Sequence, residues 1–378
     1  MSLEKPPAAA AGHRLQGLDA LRGIAALSVL AFHYTARFEE KHGHAAALPW
    51  SFDNGFLGVN LFFAISGFVI FMTLDRVRAP ADFVISRFSR LFPAFWAAIA
   101  LTWGIEWLAA PLAEPLAPGT ALLNAAMVHG YFGVPSVDGV YWTLQVELFF
   151  YLGMFLLWLA GWLRQPLWPI VGWLLLSWTG WALPLLLGRE LPYALGELLL
   201  VAHFPYFALG IAVYLGLGRE QRQPRQALLL GALALVSVGL SDGALRMLWA
   251  LGFAAALIGG LQLGTRNPRW LAPLVWLGAI SYPLYLLHQD IGYVALQWLQ
   301  GAGVGVLASL LLTTAAVLAL AALVHYAVED PAMRWLRRRL RALSSAATNA
   351  APRRRWLWLT AALAAGLLVG SVAAARLG

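Results

Sequence analysis

Gly17-Leu18-Asp19-Ala20-Leu21-Arg22-Gly23, running through an apolar stretch to Phe32-His33-Tyr34, is the part of the chain that decides how the rest is read. Everything from Gly23 to Phe32 is apolar or small, as in a membrane span. Yet Asp19, Arg22 and His33 sit in that span or at its ends. A charged side chain in hydrocarbon costs at least about 2.5–3.5 kcal/mol, so such residues face a protein interior or a water-filled cavity. Arg22 and His33 are 11 positions apart, close to three helical turns, which puts them on one face about 16 Å apart. Asp19 lies one turn before Arg22, where a salt bridge can form. Between the two ends the same face carries Ala25, Ala26 and Val29. This layout suits a long ligand whose charged end stays at one membrane surface while its reactive end reaches inward.

The surrounding composition fits. The 378 residues are 61% hydrophobic and 12% charged, and apolar runs of span length recur along the chain. The reading is an all-α fold, a polytopic membrane helix bundle. There is no cysteine, which removes disulfide and thiolate chemistry. The first apolar segment has no small-residue cleavage site and reads as a retained span.

Spans are expected at about 15–36, 56–74, 91–110, 140–162, 167–187, 197–217, 227–241, 244–263, 272–298, 304–327 and 356–376, a ten-span core plus an eleventh. With the N-terminus in the cytoplasm, 21 of the 26 Lys and Arg fall on the inner side. That is the positive-inside pattern, and it accounts for the net charge of +8 better than nucleic-acid binding does. The expected organisation is a disordered leader (1–13), a membrane domain (14–330), a basic cytoplasmic linker (331–355) and an additional C-terminal helix (356–378).

Several polar motifs interrupt the spans. Ser66 and Gly67 let helix backbones approach closely, and packing explains them better than chemistry does. Arg87 and Arg90 stand one turn apart before Leu91-Phe92-Pro93. They can grip phosphates through charge-assisted bonds or merely anchor a helix at lipid headgroups. Glu147 lies just inside the fourth span, with Thr143 and Tyr151 one turn to either side. A carboxylate there needs a partner, whether a histidine, an acceptor hydroxyl or a neighbouring helix. Ser281, Tyr285 and His288 form a polar stripe at i, i+4, i+7, and Pro283 is expected to kink their helix. His288 reads as a structural or substrate-contact residue ahead of a base. His129, His203 and His325 read as structural. His42 and His44 have no spacing that supports a zinc site, and no metal is expected.

Taken together, Leu18-Asp19-Ala20-Leu21-Arg22-Gly23 with His33, Gly58-Val59 with Phe62-Phe63 and Ser66-Gly67-Phe68, Arg87 with Arg90 and Pro93, Tyr141-Trp142-Thr143-Leu144 with Glu147 and Tyr151, and Ser281-Tyr282 with Tyr285 and His288 resemble the acyltransferase-3 family of membrane acyltransferases. The motifs stand in the family's order over about residues 15–330. Each is weak alone and the ordered set is specific. The resemblance implies a membrane enzyme that moves an acyl group, commonly acetyl from acetyl-CoA, to sugars of O-antigen (lipopolysaccharide), exopolysaccharide, peptidoglycan or small glycosides. It implies His33 as the essential histidine, Arg22 as its paired arginine, and Arg87 and Arg90 at the cytoplasmic donor site. Asp19, Trp142, Ser281, Tyr285 and His288 are then candidates to contact substrate. Asn60 and Leu148 stand where many relatives carry acidic residues. Some relatives continue from an eleventh span into an outer esterase domain, and none is expected here.

The resulting expectation is a bacterial inner-membrane O-acyltransferase acting on a carbohydrate or glycolipid. Membrane lipid is its surroundings, nucleic acid is not a partner, and the oligomeric state is open. His33 acts as general base, or as an acyl carrier, and Glu147 orients it, stabilises its imidazolium or binds the acceptor. A transporter or flippase of a lipid-linked sugar is the alternative, since intramembrane ionisable groups serve that class equally. No internal repeat or pair of broken helices supports it. A scaffold in a polysaccharide assembly complex is a third reading.

Overall fold

The computed structural model describes residues 8–110, 112–266 and 268–347, with side chains from 15 to 343. Residues 1–7, the end of the expected linker and the expected eleventh span lie outside the described residues. Among the described residues there are helices and no strands. The long helices are α1 (Ala8–Phe32), α2 (Gly58–Arg76), α3 (Pro80–Leu108), α4 (Trp142–Leu159), α5 (Leu167–Ser177), α6 (Thr179–Leu187), α7 (Phe204–Val213), α8 (Pro224–Asp242), α9 (Ala244–Arg266), α10 (Ala272–Leu287), α11 (Gln289–Gly301), α12 (Val306–Val324) and α13 (Asp330–Ala347). Eight helical segments are long and apolar enough to cross a membrane. The bent pair α5–α6, with 42° between its halves, makes a ninth candidate, and Phe204–Gly218 is a shorter apolar helix.

Local chemistry explains the boundaries. Pro80 and Pro224 open α3 and α8, positions where a missing N–H costs no helical bond. A single residue, Gly243, separates α8 from α9, with φ of +86° that a side chain would make strained.

Four elements differ from expectation. The first helix begins at Ala8, within the expected leader. The third starts at Pro80 rather than 91, so Arg87 and Arg90 lie inside the helix and not ahead of it. The ninth expected span is two helices broken at His288, beyond the Pro283 that is accommodated inside α10. The basic stretch from 331 to 347 is helical, and α13 packs on α3.

Close backbone approach holds the bundle together. A Cβ on Gly278 of α10 would meet the Asp19 carbonyl of α1 at 1.9 Å, and one on Gly210 of α7 would meet the Ala64 carbonyl of α2 at 1.8 Å. Hydrocarbon provides no hydrophobic drive between helices, so such contacts carry the association. The α1–α10 seam brings Arg22, Ser281 and Tyr285 together, and the turn that follows α1, His33–Arg37, packs on α11 and sets His33 beside His288.

Candidate active site

Polar residues from five helices converge on one cavity of about 100 Å³, room for about three water molecules. α1 contributes Arg22, α2 Phe62 and Ser66, α3 Arg87 and Arg90, α4 Thr143, Glu147 and Tyr151, and α10 Ser281, Tyr282 and Tyr285. Motifs spread over more than two hundred residues of sequence therefore share one wall.

One end of the cavity is cationic. Arg90 makes an ion pair with Glu329 at 2.8 Å, and Glu329 also accepts from His325 at 2.7 Å. Arg87 has weaker company. Its Nη2 donates to Ser86 Oγ at 3.0 Å, its guanidinium lies 5.8 Å from the Tyr151 ring centre, and its Nε is buried without a partner. Arg22 forms no ion pair within the described residues, although Asp19 and Glu147 lie in electrostatic reach. The salt bridge that the Asp19–Arg22 spacing allows is therefore not made. Three guanidinium groups face a space that holds one carboxylate, Glu147. Such an excess of cations suits an anion.

Glu147 is fixed by α2 and by its own helix. Its Oε1 accepts from Ser66 Oγ at 2.8 Å and from the Tyr151 hydroxyl. The partners that a membrane carboxylate requires are thus Tyr151 and Ser66, the latter read from the sequence as packing ahead of chemistry. The neighbouring Gly67 does serve close approach, since a Cβ there would lie 2.1 Å from the Phe207 carbonyl.

His33 lies beyond Tyr285, where α1 changes into a π-helical turn, His33–Arg37. Such turns are frequent at functional sites. Its partner is His288 and not Glu147. His33 Nδ1 is 2.9 Å from the Val29 carbonyl and 3.1 Å from His288 Nε2. His288 Nδ1 is 2.8 Å from the Tyr285 carbonyl, and the Tyr34 hydroxyl donates to the His288 carbonyl at 2.7 Å. These contacts fix the tautomers. A carbonyl oxygen only accepts, so both Nδ1 atoms carry hydrogen. His288 Nε2 is then the acceptor for the His33 Nδ1–H, which Val29 shares. Both of these His33 bonds run through Nδ1, and the Gln289 side chain lies in hydrogen-bond reach of the ring, so Nε2 is the nitrogen that can act as a base once a substrate hydroxyl replaces that contact. The orienting role expected of Glu147 is filled by Val29 and His288, because Glu147 is held by Ser66 and Tyr151 beside the arginines.

The other expected contacts divide. Ser281 lines the cavity, with its hydroxyl turned back to the Gly278 carbonyl at 2.7 Å. Tyr285 lines it too, bonded to Thr143 at 2.9 Å, and its ring centre is 5.6 Å from that of His288. Asp19 does not line the cavity. Trp142 is 47% exposed and lies against His203 and a separate small cavity with His129 and Glu197.

Comparison with known proteins gives the family. The acyltransferase-3 family model, an acyltransferase domain, matches residues 15–376. The acyltransferase MdmB of Streptomyces mycarofaciens is 28% identical over 393 aligned residues, covering 90% of this chain and 97% of that protein. The exopolysaccharide production protein ExoZ of Rhizobium meliloti is 27% identical, over 66% of this chain and 78% of its own. The peptidoglycan O-acetyltransferase OatA of Listeria monocytogenes is 28% identical, over 39% of this chain and 25% of its own. No solved structure matches the chain. With its many apolar helices and a family match over nearly its whole length, the chain is a multi-pass membrane protein that belongs to the acyltransferase-3 family.

Proposed function

We propose that the chain moves an acyl group, acetyl first among candidates, from cytoplasmic acyl-CoA to a hydroxyl of a carbohydrate or glycoconjugate at a bacterial inner membrane. One observation carries the reading: a cationic cavity with a buried, unpartnered Arg87 Nε leads toward a histidine whose Nδ1 is fixed by Val29 and His288. The positive-inside distribution supports a cytoplasmic position for the arginine end. The names of ExoZ and OatA support a carbohydrate acceptor. Family membership favours acyl transfer over the transporter and scaffold readings.

Coenzyme A is anionic at its nucleotide end and slender along its pantetheine arm. The cavity is too small for the nucleotide, so the phosphates stay at the inner mouth with Arg87 and Arg22. The arm enters between α2, α4 and α10 and carries the thioester past Tyr285. His33 Nε2 then takes the proton of the acceptor hydroxyl as its oxygen attacks the thioester carbonyl. The carbon–sulfur bond breaks, and the leaving thiolate recovers the proton from the imidazolium. His288 accepts the His33 Nδ1–H throughout and favours the cationic ring. General base catalysis of this type is worth about 10²–10⁴-fold.

Steady-state acetyl-CoA turnover by purified protein tests the assignment. Arg87→Ala removes a donor contact without unpairing an acid, whereas Arg90→Ala takes the ion-pair partner from the buried Glu329 and leaves it His325 alone. Arg87→Ala is expected to raise KM for acetyl-CoA about tenfold or more, the value of a charge-assisted bond of about 1.5–3 kcal/mol. An unchanged KM would remove Arg87 from the donor site.

A further inference from the structure

A larger cavity, about 420 Å³, opens at the His33 end of the bundle. Its walls include Glu106, Asp290, Tyr293 and Gln297, with Lys41 and His42 at the edge. Two of these groups lack partners. The Tyr293 side chain is only 3% exposed, and its hydroxyl is buried without a hydrogen bond. Glu106 is 7% exposed and has no hydrogen bond or ion pair among the described residues. A buried polar group without a partner is unfavourable until something pairs with it. Asp290 is fixed in place: its backbone N–H donates to Asp138 at 3.2 Å, and its Oδ1 accepts from Gln289 at 3.0 Å. The Gly139 backbone N–H lies in hydrogen-bond reach of the same carboxyl group, which lines the cavity.

Tyr293 on the wall of this cavity links it to the histidine pair, although neither histidine lines it. The Tyr293 and His33 ring centres are 6.3 Å apart. Tyr285, on the wall of the arginine cavity, is 5.6 Å from His288 on the same measure. The histidine pair thus touches one wall residue of each cavity, Tyr285 of the arginine-lined one and Tyr293 of the carboxyl-lined one. With Glu106, Glu114 and Asp290 against Lys41, this cavity offers no cluster of cations to hold the phosphates of a nucleotide donor.

We propose that this second cavity is the acceptor site, that it takes a neutral, hydroxyl-rich ring, and that the ring enters from the outer face of the membrane. This rests on the reading of His33 as the base and adds where the acceptor sits. A carboxyl group accepts hydrogen bonds and gives one when protonated, and a phenol and an amide both give and take. Glu106, Asp290, Tyr293 and Gln297 can thus each pair with a ring hydroxyl, the complement of adjacent ring hydroxyls. The volume falls within the about 300–1,000 Å³ of ordinary small-molecule sites. One hydroxyl of the bound ring faces His33 Nε2, gives up its proton there and receives the acyl group.

The absence of cysteine in the natural chain makes a direct test possible. Val294→Cys places one thiol on the cavity wall. Its labelling by a membrane-impermeant maleimide is followed in spheroplasts and in inverted vesicles, with and without a panel of methyl hexosides as probes. The expected result is labelling from the outer face, slowed about tenfold by at least one hexoside. Glu106→Gln or Tyr293→Phe in that background raises the half-protecting concentration about five- to tenfold, as for one lost hydrogen bond. Labelling only from the cytoplasmic face, or a rate that no hexoside changes, overturns the proposal. Acetyl-CoA binding by the same preparations separates the two readings. Binding retained without hexoside protection refutes the acceptor cavity alone. Protection retained without acetyl-CoA binding supports a sugar site and refutes the acyl-CoA donor.

Discussion

Replacing His288 by leucine removes one hydrogen-bond acceptor and little else from the catalytic geometry. His288 is 1% exposed, and its Nε2 is 3.1 Å from His33 Nδ1. The Val29 carbonyl, 2.9 Å from the same nitrogen, still holds the hydrogen on Nδ1, so the His33 tautomer survives the change. What is lost is the share of imidazolium stabilisation that His288 supplies as the proton arrives. A hydrogen bond to a charged group is worth about 1.5–3 kcal/mol, and each 1.36 kcal/mol is a factor of ten in rate. His288→Leu should therefore lower kcat by about 10- to 100-fold and leave KM for acetyl-CoA within about twofold, because the arginines are untouched. His288→Gln, whose amide oxygen can accept, should recover part of the loss. Steady-state turnover of purified protein, with a melting curve as a fold control, supplies the numbers. A folded His288→Leu protein with unchanged kcat would refute the hydrogen-bonded pair as catalytic machinery.

Three further outcomes follow from the geometry. Glu147→Gln and His288→Leu should act additively on kcat within about 0.5 kcal/mol in a double-mutant cycle, since Glu147 is bonded to Ser66 and Tyr151 and not to the histidines. Arg337 of α13 bonds Ser89 at 3.2 Å beside Arg87 and Arg90, whereas Arg338 on the same helix is exposed. Arg337→Leu should weaken acetyl-CoA binding several-fold and Arg338→Leu should not, as read by isothermal titration. Burial holds the His129 imidazole, outside the spans, down at about 4 from its usual 6.5. The unfolded chain therefore binds the extra proton first, and stability falls as pH drops from about 6.5 toward 4, by about 2 kcal/mol at pH 5. His129→Phe should melt with that much less acid sensitivity between pH 7.5 and 5.

The bundle was legible wherever apolar runs are long, and less so where function interrupts them. The stretch from Pro80 to Arg90 carries Asp82, Ser86, Arg87, Ser89 and Arg90, so hydropathy ends the third span at 91 although the helix runs through. The break at His288 has the same origin in reverse: Pro283 draws attention, but α10 absorbs it and stops at Leu287. The arginines, Glu147, Ser281 and Tyr285 were each visible as polar residues in apolar surroundings, and one cavity gathers them. Their partners were not visible. Ser66 lies 81 residues from Glu147, and His288 lies 255 residues from His33. No local pattern encodes such pairs, and Ser66 carries no charge to mark it. Glu106 is a different omission. It is a carboxylate inside an apolar run, a signal of the same kind as Glu147, and its surroundings give it a use.

The central claim is that the arginine-lined cavity binds an acyl-CoA that His33 then consumes. Titrating acetyl-CoA into folded wild-type protein and into His33→Ala tests it most directly. The account predicts equal affinity for both proteins, with turnover only in the wild type. Folded wild-type protein that binds no acetyl-CoA, or a His33→Ala protein that still turns it over at the wild-type rate, would contradict it.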